Sequence, residues 1–235
     1  GVNDGYNIRV CRSKDVEGPY EDAAGHSMAQ CACSPGNFWN NDDIAPYGVK
    51  LMGGFQFAPL QGENSDGAQI VRSPGHNSAC FDEMTGRWVL IHHTRFAPRD
   101  DRYIVQTRQM FVNDYGWPVV APLRMVRAED IPDNAAFALS GTWKVLSHGQ
   151  DVNVVEHISQ AVTISPNGAI CLGGEGTAAA DADGSFRITL EGVEYHGACG
   201  VGYDGDQDAF VSFFTAMSED GRTLWGLRAT AQGGQ

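Results

Sequence analysis

The residues Ser73 to Glu83, which read SPGHNSACFDE, place one histidine between a Pro-Gly pair and an Asn-Ser pair. An imidazole can accept a proton, bind a metal ion or simply hydrogen-bond to backbone groups in a turn. Asn77 and Ser78 could hold the histidine ring or water molecules beside it, or could cap the turn. From the residues alone, a turn histidine is the favoured interpretation of His76.

Three further basic side chains follow in the phrase HHTRF. Because His92 and His93 are adjacent, they point to opposite faces of a strand, and without further ligands they do not form a metal pair. A structural role is favoured for both. Arg95 ends the strand that follows the one begun by His76, so we expect both side chains at the same end of an antiparallel pair. Arg95 could pair with a carboxylate or bind sugar hydroxyls, or could form a structural ion pair with the Asp-Asp doublet that follows.

Acidic residues are numerous but poorly arranged for catalysis. Catalysis by a pair of carboxyl groups requires both to face one site, whereas neighbours on one strand point to opposite faces. The doublets Asp42–Asp43, Asp82–Glu83 and Asp100–Asp101 are therefore predicted to be mostly solvated turns. The cluster Asp204–Asp208 lacks the glycine and the distal glutamate of a calcium loop, and it is predicted to be a hairpin turn.

An aromatic, asparagine-rich loop, NFWNN at positions 37–41, is a candidate sugar-binding element. Its aromatic residues, which include Trp39, could stack on sugar rings while the asparagines hydrogen-bond to hydroxyl groups. The loop is long for a hairpin and could therefore line a cleft. The alternative is that it packs against the side of the fold.

The composition of the chain limits its partners. The 235 residues include 16 basic and 29 acidic residues, which give a formal net charge of −13. This charge argues against nucleic acid or an anionic membrane surface as a partner, because phosphate groups need clustered Lys and Arg. No run approaches the ~20 apolar residues of a membrane helix. The six cysteines include no CxxC pair, and buried free thiols are favoured over one or two disulfides.

Short alternating runs separated by Gly-rich turns predict an all-β protein. Strands are expected at 6–12 and 50–57, and then four in succession between 77 and 120, the unit of a propeller blade or a plain meander in a sandwich. A polar, Pro-containing stretch at 125–140 indicates a linker. About seven more strands at 141–235 predict a small antiparallel barrel or sandwich. The strands before the blade are too few to complete another one, so we expect the chain to continue from, or dock onto, further polypeptide.

Several phrases, in order along the chain, resemble a known family. The first half resembles the last part of the endo-α-1,5-L-arabinanases of glycoside hydrolase family 43 in four phrases: YNIRVCRSKDVEGPYED, LMGGFQF, SPGHNSACFDEMTGRWVLIHHTRF and RQMFVNDYGWPVVAP. The second half resembles the small C-terminal β domain of the longer members in three: GTWKVLSHGQD, ITLEGVEYHGA and FTAMSEDGRTLWG. The resemblance implies that residues 1–124 supply the outer strands of blade four and all of blade five of a five-bladed β-propeller. The linker at 125–140 and an accessory barrel at 141–235 would follow.

The same resemblance implies roles for particular residues. His76 is expected to bind a metal ion, usually calcium, on the propeller axis within a shell that is otherwise mostly water. The cation would favour ionised carboxylates nearby. Asn77, Arg95 and Trp39 are candidate substrate-binding or site-supporting residues. No catalytic carboxylate is expected in this chain, because the family's general acid lies in a Glu-Ala-Pro-Tyr phrase and Ile44 stands at the position of that glutamate here.

The function implied by the resemblance is that of the C-terminal part of a secreted or periplasmic bacterial enzyme. The complete enzyme would hydrolyse α-1,5-L-arabinofuranosyl bonds with inversion. The expected partners are arabinan or arabino-oligosaccharides and the N-terminal propeller half, as a separate chain or a removed segment, without which this chain should be inactive. Two alternatives stay open: a non-catalytic carbohydrate-binding or scaffold protein, and an exo-acting arabinanase that releases short arabino-oligosaccharides.

Overall fold

β-Strands account for nearly all the regular structure in the computed structural model, which describes residues 6–36, 42–66, 68–97, 102–152 and 155–230. Within these ranges the helical elements are three short 3₁₀ turns, Met28–Gln30, Asp42–Ile44 and Ala128–Asp130. No described residue belongs to a helix that is long and apolar enough to cross a membrane. The all-β class predicted from the sequence is confirmed.

The first half of the chain contains seven strands: β1 Ile8–Val10, β2 Val49–Met52, β3 Phe55–Gln56, β4 Ile70–Asp82, β5 Arg87–Ala97, β6 Ile104–Val112 and β7 Pro118–Val120. β1 pairs with β2 in an antiparallel sheet, so the two strands expected at 6–12 and 50–57 are neighbours. β4, β5, β6 and β7 pair antiparallel in chain order. These four are the consecutive strands predicted between residues 77 and 120.

The second half contains nine strands: β8 Gly141–Ser147, β9 His157–Ile158, β10 Gln160–Ile164, β11 Ile170–Leu172, β12 Gly176–Ala180, β13 Ser185–Leu190, β14 Val193–Asp204, β15 Ala209–Ser218 and β16 Thr223–Arg228. Eight of them form one sheet in the order β11-β10-β8-β16-β15-β14-β13-β12. An antiparallel bridge between Ala169 and Thr177 joins the two edges of this sheet, which therefore closes into a small barrel. β12 was not predicted, because its sequence GTAAA has no apolar alternation.

β9 belongs to the other sheet. The sequence predicts a single strand from His157 to Ile164, but His157 and Ile158 pair in parallel with Phe55 and Gln56 of β3. The prediction of one strand is therefore wrong, because the chain leaves one sheet and enters the other at Ser159. The blade sheet consequently has six strands in the order β7-β6-β5-β4-β3-β9.

Two hydrophobic cores result from the alternation along the barrel strands. Trp143 of β8 and Phe214 of β15 point into the barrel, where the Phe214 ring stacks on Phe186 at 4.4 Å between centroids. Leu146 of β8 and Trp225 of β16 point outward and pack into the core formed by the first half. Each fully buried side chain of this size contributes about 1.5–3 kcal/mol to stability. The outer face of the barrel is therefore an integral part of the core beneath the blade.

One buried ion pair crosses the same interface. The Lys144 Nζ atom lies 3.1 Å from Oε2 of Glu63 and 3.7 Å from Oδ2 of Asp204, and all three side chains are buried. Glu63 also accepts hydrogen bonds from the backbone N–H groups of Leu60 and Thr230. Burial on its own raises the pKa of Glu63, but these two N–H groups and Lys144 outweigh it and hold the pKa below its usual value.

The stretch between the two sheets is partly packed. Phe137 and Leu139 lie against the barrel core, and the Leu139 carbonyl accepts a hydrogen bond of 2.8 Å from the indole of Trp143. The division into domains at 124 and 141 stays a prediction. All six cysteines lie in the described part of the chain and are free thiols. Four of them are exposed, so the expected burial of the thiols is wrong for those four: Cys31, Cys33, Cys80 and Cys171.

Candidate functional site

A cavity of about 920 Å³ opens where β4, β5 and the approach to β6 meet. Its lining combines histidine, tyrosine, hydroxyl and amide side chains: Tyr6, Ser73, His76, Asn77, Ser78, Ile91, His92, His93, Tyr103 and Val105. Two of the four residues singled out from the sequence, His76 and Asn77, therefore face one cavity. Trp39 lies outside the described residues, so its placement stays a prediction.

His76 sits in an irregular part of β4. The sequence predicts that the strand begins after a Pro-Gly turn, but β4 begins at Ile70 and runs through Pro74 and Gly75. The register with β5 shifts on both sides of Gly75, and Ser73 and His76 have positive φ angles of 48° and 46°. The predicted turn is therefore a double bulge within the strand. Bulges re-aim side chains, and this one leaves His76 exposed to the cavity.

Gly75 leaves room for the ring of Tyr6. A Cβ atom at this position would lie 2.0 Å from Cε1 of Tyr6, a distance that no real side chain tolerates. The ring of Tyr6 passes over the glycine and stacks on His93, with 5.7 Å between the ring centroids and 10° between the ring planes. The absence of a side chain at Gly75 thus lets Tyr6 lie beside the cavity.

The sequence favours a structural role for His93, but in the structure this side chain lines the cavity. It lies opposite Gly75 in the strand register, and its ring centroid is 5.9 Å from that of His76 and 4.3 Å from that of Tyr103. Burial, and then the neighbouring His76 and Arg95, lower the pKa of His93. The alternation along β5 correctly predicts that His92 and His93 point to opposite faces of the strand. It could not indicate which of these two side chains lies at a site.

Arg95 is two residues further along β5 and is buried. It pairs in register with Arg72 rather than with His76, because β4 begins earlier than predicted. Its guanidinium lies over the ring of Tyr103, with 4.0 Å from Cζ to the centroid, and it also hydrogen-bonds to the Tyr103 hydroxyl. Arg95 therefore borders the cavity through Tyr103. The Asp-Asp doublet at 100–101, its alternative partner, lies outside the described residues.

His92 is buried beneath the cavity, with 1% of its surface exposed. Its Nδ1 atom lies 3.0 Å from the carbonyl oxygen of His93, and Nε of Arg108 lies 3.3 Å from its Nε2 atom. Burial, followed by the charge of Arg108, lowers the pKa of His92 to about 4. His92 is therefore neutral at physiological pH.

The cavity offers few metal-binding groups from this chain. Among the described residues, no three His, Cys, Asp or Glu side chains are grouped so that they could hold an ion. Asn77 and Ser78 add amide and hydroxyl oxygens beside the exposed ring of His76, and oxygen is the donor that calcium prefers. Since calcium takes six to eight oxygen ligands, these side chains could supply only a small part of its shell, and the expected calcium ion at His76 stays a prediction.

The acidic clusters around Asp82 and at Asp204–Asp208 lie in turns at the ends of strands. Asp82 ends β4 and accepts hydrogen bonds from the backbone of Met84 and from the hydroxyl of Thr85. Asp204–Asp208 forms the hairpin turn between β14 and β15, as predicted. Its first carboxylate is not solvated, however, because Asp204 is buried near Lys144.

Comparison with known proteins finds one family model and several similar proteins. Residues 124–226 match the model for the C-terminal lipocalin-like domain of glycoside hydrolase family 43. The extracellular endo-α-(1→5)-L-arabinanase 2 of Bacillus subtilis is 40% identical over 226 residues, which cover 95% of this chain and 47% of the relative. The extracellular endo-α-(1→5)-L-arabinanase of Thermotoga petrophila is 32% identical over 95% of this chain and 46% of its own length.

Solved structures agree with these relatives. A family 43 glycoside hydrolase from Bacillus licheniformis superposes with a TM-score of 0.82 at 34% identity, over 98% of this chain and 50% of that one. The endo-1,5-α-L-arabinanase of Thermotoga petrophila gives 0.82 at 30% identity, over 97% and 50%. This chain spans about half the length of the relatives that it matches. The chain thus contains a match to the C-terminal domain of glycoside hydrolase family 43 at residues 124–226, and over nearly all of its length it is similar to the endo-arabinanases named above.

Proposed function

We propose that this chain is the C-terminal part of an arabinan-degrading enzyme that cleaves internal α-1,5-L-arabinofuranosyl bonds with inversion. The observation that carries this proposal is the 40% identity to an endo-arabinanase over 95% of the chain. The similarity extends through both the blade sheet and the barrel, so it includes the strands that line the cavity. The relatives are named extracellular enzymes, and we infer that the complete protein is secreted or exported to the periplasm.

In this proposal the cavity is one wall of the substrate cleft, and β4 to β7 form the last blade of a five-bladed propeller. The lining combines flat rings with hydroxyl and amide groups, and Tyr6, Asn77 and Tyr103 are examples. Sugars bind to such surfaces because aromatic faces cover their C–H groups while polar side chains hydrogen-bond to their hydroxyls. Arg95, held beneath the ring of Tyr103, would keep that ring in place.

His76 is proposed as a calcium ligand in the assembled enzyme, with Asn77 and Ser78 orienting the ring or the bound water. A cation at this position would stabilise the ionised forms of neighbouring carboxylates. This chain's own contribution is to hold an imidazole at the cavity surface, which the bulge at Gly75 achieves.

The catalytic carboxylates are proposed to lie on the N-terminal half of the enzyme. The described residues that line the cavity include no aspartate or glutamate, whereas inverting hydrolysis requires one carboxyl group as acid and another as base. An N-terminal propeller half that brings these groups to the cavity would complete the site. Without that half, this chain is expected to be inactive.

The test is reconstitution. The 235-residue chain would be assayed on linear arabinan alone, and together with a polypeptide that corresponds to the N-terminal half of the arabinanase relatives. Hydrolysis is expected only in the mixture, and His76→Ala should remove its response to a chelator. Normal activity of the isolated chain would refute the placement of the carboxylates. Arabinan binding without hydrolysis in the mixture would support a non-catalytic binding protein, and short oligosaccharides released from one end would support exo action.

A further inference from the structure

Arg108 is a buried cation held mainly by neutral groups. It lies on β6 with 3% of its surface exposed. Nη1 donates hydrogen bonds to the backbone carbonyls of Ala121 and Pro122, and Nη2 donates to Oε1 of Gln106 at 3.3 Å. No carboxylate in the described part of the chain forms an ion pair with it. Burial, and then Arg124, lower its pKa to about 9, so it remains charged at neutral pH.

The Nε–H group of Arg108 determines the chemical form of His92. A guanidinium nitrogen can only donate a hydrogen bond, so the contact of 3.3 Å from Nε of Arg108 requires that Nε2 of His92 carry no proton. A backbone carbonyl can only accept, so the contact of 3.0 Å between Nδ1 of His92 and the carbonyl oxygen of His93 requires a proton on Nδ1. Together the two partners select the neutral Nδ1–H tautomer.

We propose that Arg108 is a positioning residue for the cavity: it fixes His92 as the Nδ1–H tautomer, and His92 thereby fixes the peptide of His93, whose ring faces His76. We call this series of contacts, from Arg108 on β6 through His92 to His93 on β5, the relay. It ends at the cavity surface. It gives the two adjacent histidines different parts, since His92 is the buried connection and His93 turns its ring toward His76. The relay is a property of this chain, whereas its value for catalysis rests on the proposed function.

The barrel supports the relay from below. The Cζ atom of Arg108 lies 5.4 Å from the ring centroid of Trp225 on β16 and 5.7 Å from that of Phe55 on β3. These two rings pack edge to face with 5.1 Å between their centroids. A cation over aromatic faces is held by their quadrupoles. We therefore expect the barrel to help hold β5 in place, because its Trp225 packs against Arg108 and Arg108 contacts His92 on β5.

The experiment reads the imidazole nitrogens of His92 directly. The protein is labelled with ¹⁵N-histidine and observed by NMR at pH 7, with the N-terminal half added where assembly requires it. The wild type should show a protonated Nδ1 and an unprotonated Nε2 on His92. Arg108→Met should shift His92 toward a mixture of tautomers, raise its pKa above about 4, and weaken the nuclear Overhauser contact between the rings of His93 and Tyr103.

Two control variants keep the test decisive. Arg124→Met removes an exposed arginine close to Arg108 that makes no contact with His92, and it should leave the His92 spectrum unchanged. Arg108→Lys keeps the charge and one donor, and it should restore part of the wild-type spectrum. An Nε2–H tautomer in the wild type would overturn the proposal without any mutation. An unchanged tautomer and ring contact in Arg108→Met would also overturn it.

The relay and the proposed function fail in different ways. If the wild-type assembly does not hydrolyse arabinan, the function is wrong, whatever the tautomer of His92. If the assembly is active, Arg108→Met should lower kcat more than it raises KM, because it disturbs the position of cavity groups rather than a contact with the substrate. Unchanged kcat in that variant would refute a positioning role.

Discussion

Replacing Lys144 with methionine tests whether the barrel is anchored to the first half by a buried ion pair. The Nζ atom of Lys144 lies 3.1 Å from Glu63, and the two side chains are 2% and 0% exposed. Methionine has nearly the length of the lysine stem and can fill the same space without the charge. The substitution therefore leaves Glu63 buried without its cation.

The expected magnitude follows from what Glu63 retains. Removing one partner of a buried ion pair typically costs about 3–5 kcal/mol, because the other charge stays buried. Glu63 keeps hydrogen bonds from the backbone of Leu60 and Thr230, at 2.9 and 3.0 Å, so we expect a value near the lower end, about 3 kcal/mol. Glu63→Gln should cost less, because Lys144 retains Asp204 at 3.7 Å.

Urea unfolding followed by tryptophan fluorescence measures these changes at pH 7. The double variant should cost less than the sum of the two single variants, with an interaction energy within about 0.5–3 kcal/mol. Arg127→Met is the control, because the pair that Arg127 forms with Asp130 is exposed, and it should change the unfolding free energy by less than about 1 kcal/mol. A Lys144→Met variant that is as stable as this control, or single effects that add fully, would refute the reasoning.

The pH dependence of stability in the same variants gives a second test of the ion pair. The folded pKa of Glu63 lies below its usual value, so its stabilising contribution is present above the unfolded pKa and disappears as the pH falls through the folded value. The difference in stability between wild type and Lys144→Met should therefore shrink below about pH 4. A difference that is constant from pH 7 to pH 3 would contradict the assignment of the charge to Glu63.

Three further predictions concern the blade and the core beneath it. Gly75→Ala should lower the melting temperature and displace the ring of Tyr6, since the added Cβ atom meets that ring at 2.0 Å; an unchanged melting temperature and an unchanged ring position in a crystal structure would contradict this. Lowering the pH from 7 to 4 should destabilise the protein, because His92 and His148 are buried with lowered pKa values, so the unfolded chain binds protons that the folded one does not. His92 alone, with a pKa of about 4 against 6.5, contributes roughly 3 kcal/mol to that loss, and urea titrations that give the same unfolding free energy at pH 7 and pH 4 would refute it. Asn113→Ala should cost about 1–2 kcal/mol in urea unfolding, because its side-chain oxygen accepts two backbone N–H groups at 3.1 and 2.9 Å; a smaller effect than that of Arg127→Met would exclude the role of Asn113 in this turn.

Much of the strand pattern could be predicted, because exposed and buried faces alternate along most of these strands. The bounds of β13, Ser185–Leu190, follow directly from the alternation of SFRITL. The extension of β4 to Ile70 could not be predicted, because Pro74 and Gly75 normally end a strand. Only the partner strand β5 shows that the backbone continues past them in a bulge. β9 could not be assigned to its sheet, since local periodicity contains no information about pairing over more than a hundred residues.

The sequence drew attention to His76, which faces the cavity, while its expected role as a metal ligand stays a prediction. The role of His93 depends on the register between β4 and β5, which puts it opposite Gly75, and on ring contacts with residues from other parts of the chain. Arg108 gave no signal, because an arginine in an alternating strand is usually exposed. Its burial arises from the barrel, whose Trp225 closes the space behind it.

The parallel pairing of β9 with β3 has a consequence for biosynthesis. His157 belongs to the blade sheet but follows β8 in the chain, so the ribosome must release the first barrel strand before the blade can acquire its last one. The blade sheet therefore cannot be completed until β8 and the segment that follows it have left the exit tunnel. A premature stop between β8 and β9 should leave an incomplete blade with an exposed edge at β3, which is a target for quality-control proteases.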